Sequence, residues 1–234
     1  RSVSDTYVIF SHALEGLVTP DDYDNVEEPF QAEADETLGV TSLILTNKER
    51  ALASTLFSTA VITNNSSPVV KYDVYATSDP LADFKTAQNA ILTASGVSPN
   101  AVIMSKLVFN TLIYHPAILD ILGFKYNQVG LLSEADVMRA LNVNELLIAD
   151  APFNNAVEGQ PDNIQQIWGD SILFYVKPSS AAKYQMSLGY YLKLSSRKQR
   201  GVYKYAKDNP PNSTGIIVQD DYSFKIVNTD CAYL

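Results

Sequence analysis

The spacing of apolar residues changes several times along the chain, and each change marks an element. Thr6-Tyr7-Val8-Ile9-Phe10 is rich in β-branched and aromatic residues and predicts a strand, after which the acidic DDYDNVEEP at 21–29 reads as a turn approaching a helix. From Phe30 to about Thr59 there is neither Pro nor paired Gly, and Leu38, Leu45 and Leu52 recur every seven residues with Ala34 and Leu56 on nearly the same face. That pattern predicts one long helix with a single apolar stripe. At the helical rise of 1.5 Å per residue it extends about 45 Å, long for a compact domain. Gly39 costs its interior about 1 kcal/mol against Ala and marks a place for a slight bend.

Beyond Asn64-Asn65-Ser66-Ser67-Pro68, the best linker candidate, the pattern from Val70 to about Val176 alternates between helical and strand periods. Ser78-Asp79-Pro80 opens a helix with an Asp cap and Pro at its first position, and Leu81, Phe84, Ala87 and Ile91 follow at helical spacing until Gly96. A strand at 101–104, a helix at 106–114 broken by Pro116, a helix opening on the capping box Ser133/Asp136 and a strand at 145–149 come next. In QQIWGDSILFYVKPSS, residues 165–180, Gly169-Asp170 and Pro178 bracket a core strand that carries the chain's one tryptophan at its mouth. After it, Thr214 to Val218 and Tyr222 to Val227 read as paired strands around a Gln219-Asp220-Asp221 turn.

Composition narrows the classes. At 234 residues and 46% hydrophobic, the chain can bury one large core or two smaller ones. No apolar run approaches the roughly 20 residues that cross a bilayer, and the N-terminus lacks a basic region leading into an apolar one. The lone Cys231 excludes an internal disulfide, as reducing cytosol would favour. A net charge of −9 disfavours nucleic-acid binding by the whole surface. Residue 1 is Arg rather than Met, so the expectation is a processed or trimmed chain with residues missing upstream.

Candidate chemistry is sparse. The chain has no phosphate loop, GxGxxG, GxSxG or HExxH, and His12 and His115 have no Cys or carboxylate at metal-like spacing. Cys231 reads as a small half-buried apolar residue, and His115 before Pro116 as a group that ends a helix and caps its carbonyls. Asp21, Asp22, Asp24, Glu27 and Glu28 lack the Gly and terminal Glu of a calcium loop; they read as a solvated turn feeding negative charge to the long helix. The stretch 193–207 carries Lys193, Arg197, Lys198, Arg200, Lys204 and Lys207 with no acid, and Tyr203 and Tyr205 alternate with lysines as in an exposed strand. It suits nucleic-acid contact, a solvated loop or a docking surface for an acidic protein. Docking is favoured, because residues 1–40 hold ten acids against one Arg and the two segments could attract each other between copies.

Taken in order, SDTYVIFSHALEG, the acidic turn, the long helix ending in LFSTAV, DPLADFKTAQNAI, PNAVIMSKLVFNTLIYHPAIL, LLIADAPFN and IWGDSILFYVKPSS resemble the major capsid proteins of tailed bacteriophages, the Hong Kong 97-type fold. The resemblance runs from about residue 4 to 192, is weaker in the C-terminal strands, and rests on the order of the pieces rather than on any one motif. It implies an α+β fold: residues 1–62 as peripheral-domain strand and spine helix, 63–192 as a mixed α/β axial domain, and 193–234 as basic loop and strands returning to the peripheral domain. The spine stripe is Leu38, Leu45, Leu52 and Leu56, and Trp168, Ile172, Phe174 and Val176 stiffen the axial core. Two departures stand out. The N-terminal arm and extended loop usual in the family are not in this sequence, and the basic stretch is longer than usual.

The implied function is structural: a virion head protein, not an enzyme, with no cofactor, metal or membrane. Copies would form pentamers and hexamers of an icosahedral shell in the host bacterial cytoplasm, enclosing double-stranded DNA without reading its sequence. Portal, scaffold and decoration proteins are partners by resemblance alone. Between copies, Asp21, Asp22, Asp24, Glu27 and Glu28 are expected to meet Arg197, Lys198 and Arg200. The rivals are an encapsulin-like compartment shell, and an α/β enzyme whose site gathers Asp170, His115 and Asp150.

Overall fold

The computed structural model describes residues 6–25, 31–122, 132–157, 159–182, 185–194, 200–208 and 212–234. In chain order the elements are β1 (Phe10–Val18), α1 (Pro20–Asn25), α2 (Ala32–Leu56), α3 (Pro80–Ser95), β2 (Ala101–Ser105), α4 (Lys106–Leu112), α5 (Pro116–Ile121) and α6 (Glu134–Leu141). They continue with β3 (Glu145–Ala149), β4 (Pro152–Asn154), β5 (Ile164–Gln166), β6 (Ile172–Tyr175), β7 (Gly189–Lys193), β8 (Arg200–Lys207), β9 (Ser213–Ile226) and β10 (Ala232–Tyr233). Contacts divide the chain into two units: one of Leu52–Gly189 and Ile226–Leu234, the other of the described residues up to Ala51 together with Tyr190–Lys225.

The larger unit is built on the sheet β10-β6-β2-β3. Its centre is β2, AVIMS, whose residues are all buried, as a continuous apolar run demands when both faces of a strand are covered. β3 runs parallel to it and β6 antiparallel, with Val102 opposite both Leu146 and Phe174. The Ser105 side chain ends the strand by accepting the Val108 N–H and capping α4. α3 starts where Asp79 accepts the Ala82 N–H at 3.2 Å and stops where Gly96 turns left-handed at φ 75°, and it buries Phe84, Ala87 and Ile91. α6 has the expected box, Ser133 and Asp136 each satisfying the other's backbone. Trp168 is 6% exposed and meets Phe57 edge to face at 5.4 Å; Phe174 and Val176 are buried and Ile172 is half-buried beside them.

The smaller unit is a sheet with a helix against it. β9 spans fourteen residues and takes β1 on one side, Phe10 opposite Tyr222 through Val18 opposite Thr214, and β8 on the other, Arg200 opposite Asp220. Val218 lies buried under Val40 and Ile44 of α2, one helical turn apart on a single face. Gly16 makes the approach possible, since a Cβ there would sit 2.6 Å from the Val40 side chain and closer still to the Glu36 carboxylate.

Several expectations are corrected. The first strand begins at Phe10 rather than Thr6, and the long helix covers 32–56 rather than 30–59. Its stripe is split: Leu52 and Leu56 pack on the larger unit's core, but Leu38 and Leu45 are 67% and 40% exposed. The physical reason is angular, because two residues of helix turn about 200°, which puts Leu38 opposite the buried Val40. The expected 219–221 turn is the middle of continuous β9, its two carboxylates held by side-chain partners rather than by solvent. His115 caps the start of α5, its ring nitrogen accepting the Ala117 N–H, instead of the end of α4. Asn64-Ser67 is no linker: Asn64 O accepts the Leu234 N–H and Ser66 donates to Leu234 O, both at 3.0 Å. The division accordingly falls at residue 51 rather than 62, and the last nine residues stay with the larger unit, Ala232 pairing with Tyr175.

Candidate functional site

The residues expected to make an enzyme site are not brought together. His115 is buried, with Nε2 2.9 Å from the Ser78 hydroxyl, which in turn donates to Val74 O, while Nδ1 accepts from Ala117. With both nitrogens committed, it holds the start of a helix and offers no free lone pair. Burial holds its pKa below the usual value, against the pull of Asp79. Asp150 and Asp170 are exposed on separate loops. A groove of about 570 Å³ in the larger unit is lined by Asp170 with Tyr72, Asp83 and Phe84, and includes neither His115 nor Asp150. Tyr72 donates to Asp83 at 3.1 Å, and burial with that carboxylate pushes the phenol well up, so the pair is structural. Burial, helped by Glu145, lifts the Tyr175 phenol to about 12. Cys231 is fully buried rather than half-buried, and burial and Asp230 push its thiol up, away from the reactive thiolate. Among the described residues no group of His, Cys, Asp and Glu could hold a metal, and no helix is long and apolar enough to cross a membrane.

What the fold does assemble is a set of charged seams in the smaller unit. Glu33, in the first turn of α2, takes Lys204 and the Tyr23 hydroxyl, whose hydrogen bonds hold its carboxyl below the ordinary range. Glu15 of β1 takes Lys207 at 2.6 Å and the Tyr205 hydroxyl, with the same effect. Lys48 of α2 donates to Asp220 at 3.0 Å and to Tyr191 at 2.7 Å; burial opposes its charge, but the two bonds outweigh burial and hold the ammonium above its usual value. The basic strand therefore meets the acidic segment inside one chain.

The expected inter-copy residues sort accordingly. Asp22 accepts the Thr19 N–H at 2.7 Å and its hydroxyl at 2.8 Å, so its carboxyl, lowered by those bonds, caps α1. Arg200 faces Asp220 of its own chain. Asp21 and Asp24 lie exposed on α1, while Glu27, Glu28, Arg197 and Lys198 fall outside the described residues. The sequence reading missed Glu15, Glu33, Lys48 and Asp220. The alternation of Lys204 with Tyr205 and Lys207 was the only signal, and it named a strand without naming its partners.

The smaller unit also leaves large apolar groups uncovered: Phe10, Leu38, Leu43, Val202 and Tyr203 are each more than half exposed. They are spread over β1, α2 and β8, strands that flank β9 on its two sides and the helix of the same unit.

No protein-family model matches the chain, and no curated protein sequence is similar to it. Solved structures are similar. A phage-related protein from Bordetella bronchiseptica matches with a TM-score of 0.76 at 20% identity, over 97% of this chain and 75% of its own. A virus-like particle from Pyrococcus furiosus matches at 0.62 and 10% identity, over 96% of this chain and 75% of its own. The capsid of cyanophage P-SCSP1u matches at 0.56 and 10% identity, over 95% and 70%. At these identities the likeness establishes the fold, an α+β arrangement shared through nearly the whole chain.

Proposed function

We propose that this chain is a major capsid protein, many copies of which assemble into an icosahedral shell around double-stranded DNA. The observation that carries the reading is the shared fold over 95–97% of the chain with structures that include a virus-like particle and a cyanophage capsid. The smaller unit corresponds to the peripheral domain, α2 to its spine helix, and the larger unit to the axial domain whose loops surround the shell's symmetry axes.

The work of such a protein is association. Each copy buries apolar surface such as Leu38 and Val202 against neighbours, and many modest contacts close into a lattice. The internal ion pairs Glu33–Lys204 and Glu15–Lys207 take up part of the charge expected to bridge copies, and contact of the acidic turn at 21–28 with Arg197 and Lys198 of a neighbour remains part of the proposal. A net charge of −9 suits a wall that confines DNA without adhering to it. The virion is its place, the host cytoplasm its site of assembly, and portal, scaffold and decoration proteins are its expected partners.

The test is negative-stain electron microscopy of the purified protein over a range of concentration and salt, with nuclease-protected nucleic acid measured in any particles. Closed shells, or pentamers and hexamers, are expected. A monomer that never assembles with or without a scaffold partner would refute the reading, and shells that carry protein rather than DNA would replace it with a compartment.

A further inference from the structure

Within the smaller unit a single carboxylate is shared between two cations that do not hold it equally. Asp220 is fully buried at the middle of β9. Lys48 reaches its Oδ2 from α2 at 3.0 Å and lies over the rings of Tyr191 and Tyr222, 4.5 and 4.6 Å from their centroids. Arg200 is directly across the ladder on β8, yet its Nη2 stops 4.0 Å from the same Oδ2, too far for a hydrogen bond. Asp220 Oδ1 and Arg200 Nε are both buried and have no hydrogen-bond partner among the described residues. An unpartnered acceptor and an unpartnered donor of opposite charge thus stand on residues that face each other.

Buried polar groups are ordinarily satisfied, and a guanidinium meets a carboxylate best through two parallel hydrogen bonds. Movement of the Arg200 head group by about 1 Å would bring Nη2 to bonding distance of Oδ2, the atom that Lys48 now holds. Lys48 has its own alternative, because the Tyr191 hydroxyl at 2.7 Å and the two ring faces hold the ammonium without the carboxylate. Other charged groups on this stretch are otherwise engaged: Asp221, on the next residue, accepts from Ser11 at 2.7 Å and Gln219 at 2.9 Å, and His12, opposite Asp220 on β1, stacks on Tyr222 at 4.3 Å.

We propose that Asp220 is a two-position latch: Lys48 ties it to the helix in the state described here, and Arg200 ties it to β8 in a second state. The exchange changes which element is fastened to the middle of β9, helix or edge strand, while the carboxylate never goes unpaired. The inference concerns one chain and does not depend on shell assembly.

A double-mutant cycle on the full chain tests it, with Lys48→Met and Arg200→Met keeping the apolar stems. Each single variant is expected to lose little in urea midpoint because the other cation takes over, and the double variant to lose clearly more than the two losses added. Lys48→Met with Lys204→Met, whose partner is Glu33, should simply add. Additive losses for Lys48 and Arg200 would overturn the latch, as would a Lys48→Met loss equal to that of the double. If the double variant does not fold, the Arg200 Nε–H in Lys48→Met decides by NMR: slowed hydrogen exchange supports the exchange of partners, and an unchanged rate refutes it.

Discussion

Trp168→Ala should unfold the larger unit well before any surface change does. Trp168 is 6% exposed and lies at the mouth of β6, where Gly169 turns at φ 56° to start the strand. Truncating a buried Trp to Ala costs about 3–5 kcal/mol, the removed transfer energy plus the cavity left behind. The edge-to-face pair with Phe57 contributes about 0.5–1.5 kcal/mol of interaction beyond its area. With a urea m-value of about 2–3 kcal/mol/M, a loss of about 4 kcal/mol moves the midpoint down by roughly 1.3–2 M. Trp168→Phe keeps an aromatic edge for Phe57 and should lose less than half as much. Circular dichroism follows all three proteins, since the fluorescence of the only Trp is lost in both variants. A midpoint shift under about 0.5 M for the Ala variant, or equal shifts for Ala and Phe, would show that the ring is not a core element.

Acid should weaken the larger unit through His115, whose pKa burial holds below 6.5: the unfolded chain takes up the proton first, so stability is full above 6.5 and falls as pH drops below it. His115→Asn keeps a capping acceptor for Ala117 without the titration and should flatten urea midpoints between pH 7 and about 5.5; an unchanged slope would assign the effect elsewhere. At lower pH the depressed carboxylates Glu15, Glu33 and Asp136 contribute stability that is present above their ordinary range and lost as pH falls through their lowered values, so Lys204→Met should make the smaller unit less sensitive to acid near pH 4. Gly16→Val should cost about 1–3 kcal/mol by forcing α2 off β1, read as a lower thermal midpoint, whereas Gly39→Ala, with open space around it, should be neutral or stabilising. On the shell reading, Arg197→Glu with Lys198→Glu should block assembly and leave the monomer's melting unchanged; normal particles would remove these residues from the inter-copy contact.

The elements that were legible in the sequence are those decided within a few residues. Asp79-Pro80 to Gly96, the Ser133/Asp136 box, AVIMS and ILFY each carry their own start, stop or burial signal, and the structure has each where local physics puts it. The misread elements are those whose partner lies far along the chain. Gln219-Asp220-Asp221 has turn composition, yet Lys48 and Ser11, some 170 and 210 positions away, satisfy both carboxylates and keep the strand straight. FSHALEGLV has few β-branched residues and becomes a strand because β9 offers nine paired positions. His115 before Pro116 fits either end of a helix until Ser78 fixes the ring and leaves Nδ1 for the following turn.

The same distinction bears on the candidate site. An active site announces itself by groups that chemistry forces together, and His115, Asp150 and Asp170, each plausible alone, are held apart. A shell protein's working surface has no such constraint within one chain, so its signal is displaced into features that look like errors. Leu38 and Leu45 follow a sound seven-residue period but face away from Val218, the residue that α2 covers. Under the proposed function that period describes burial against a second copy, with Val40 and Ile44 specifying the fold and Leu38 and Leu45 the lattice. Leu38→Ser with Leu45→Ser should then leave the monomer's midpoint within about 0.5 kcal/mol of the parent, as surface changes do, while raising the concentration at which particles form. Loss of monomer stability with unaltered assembly would reverse the assignment and return both leucines to the fold.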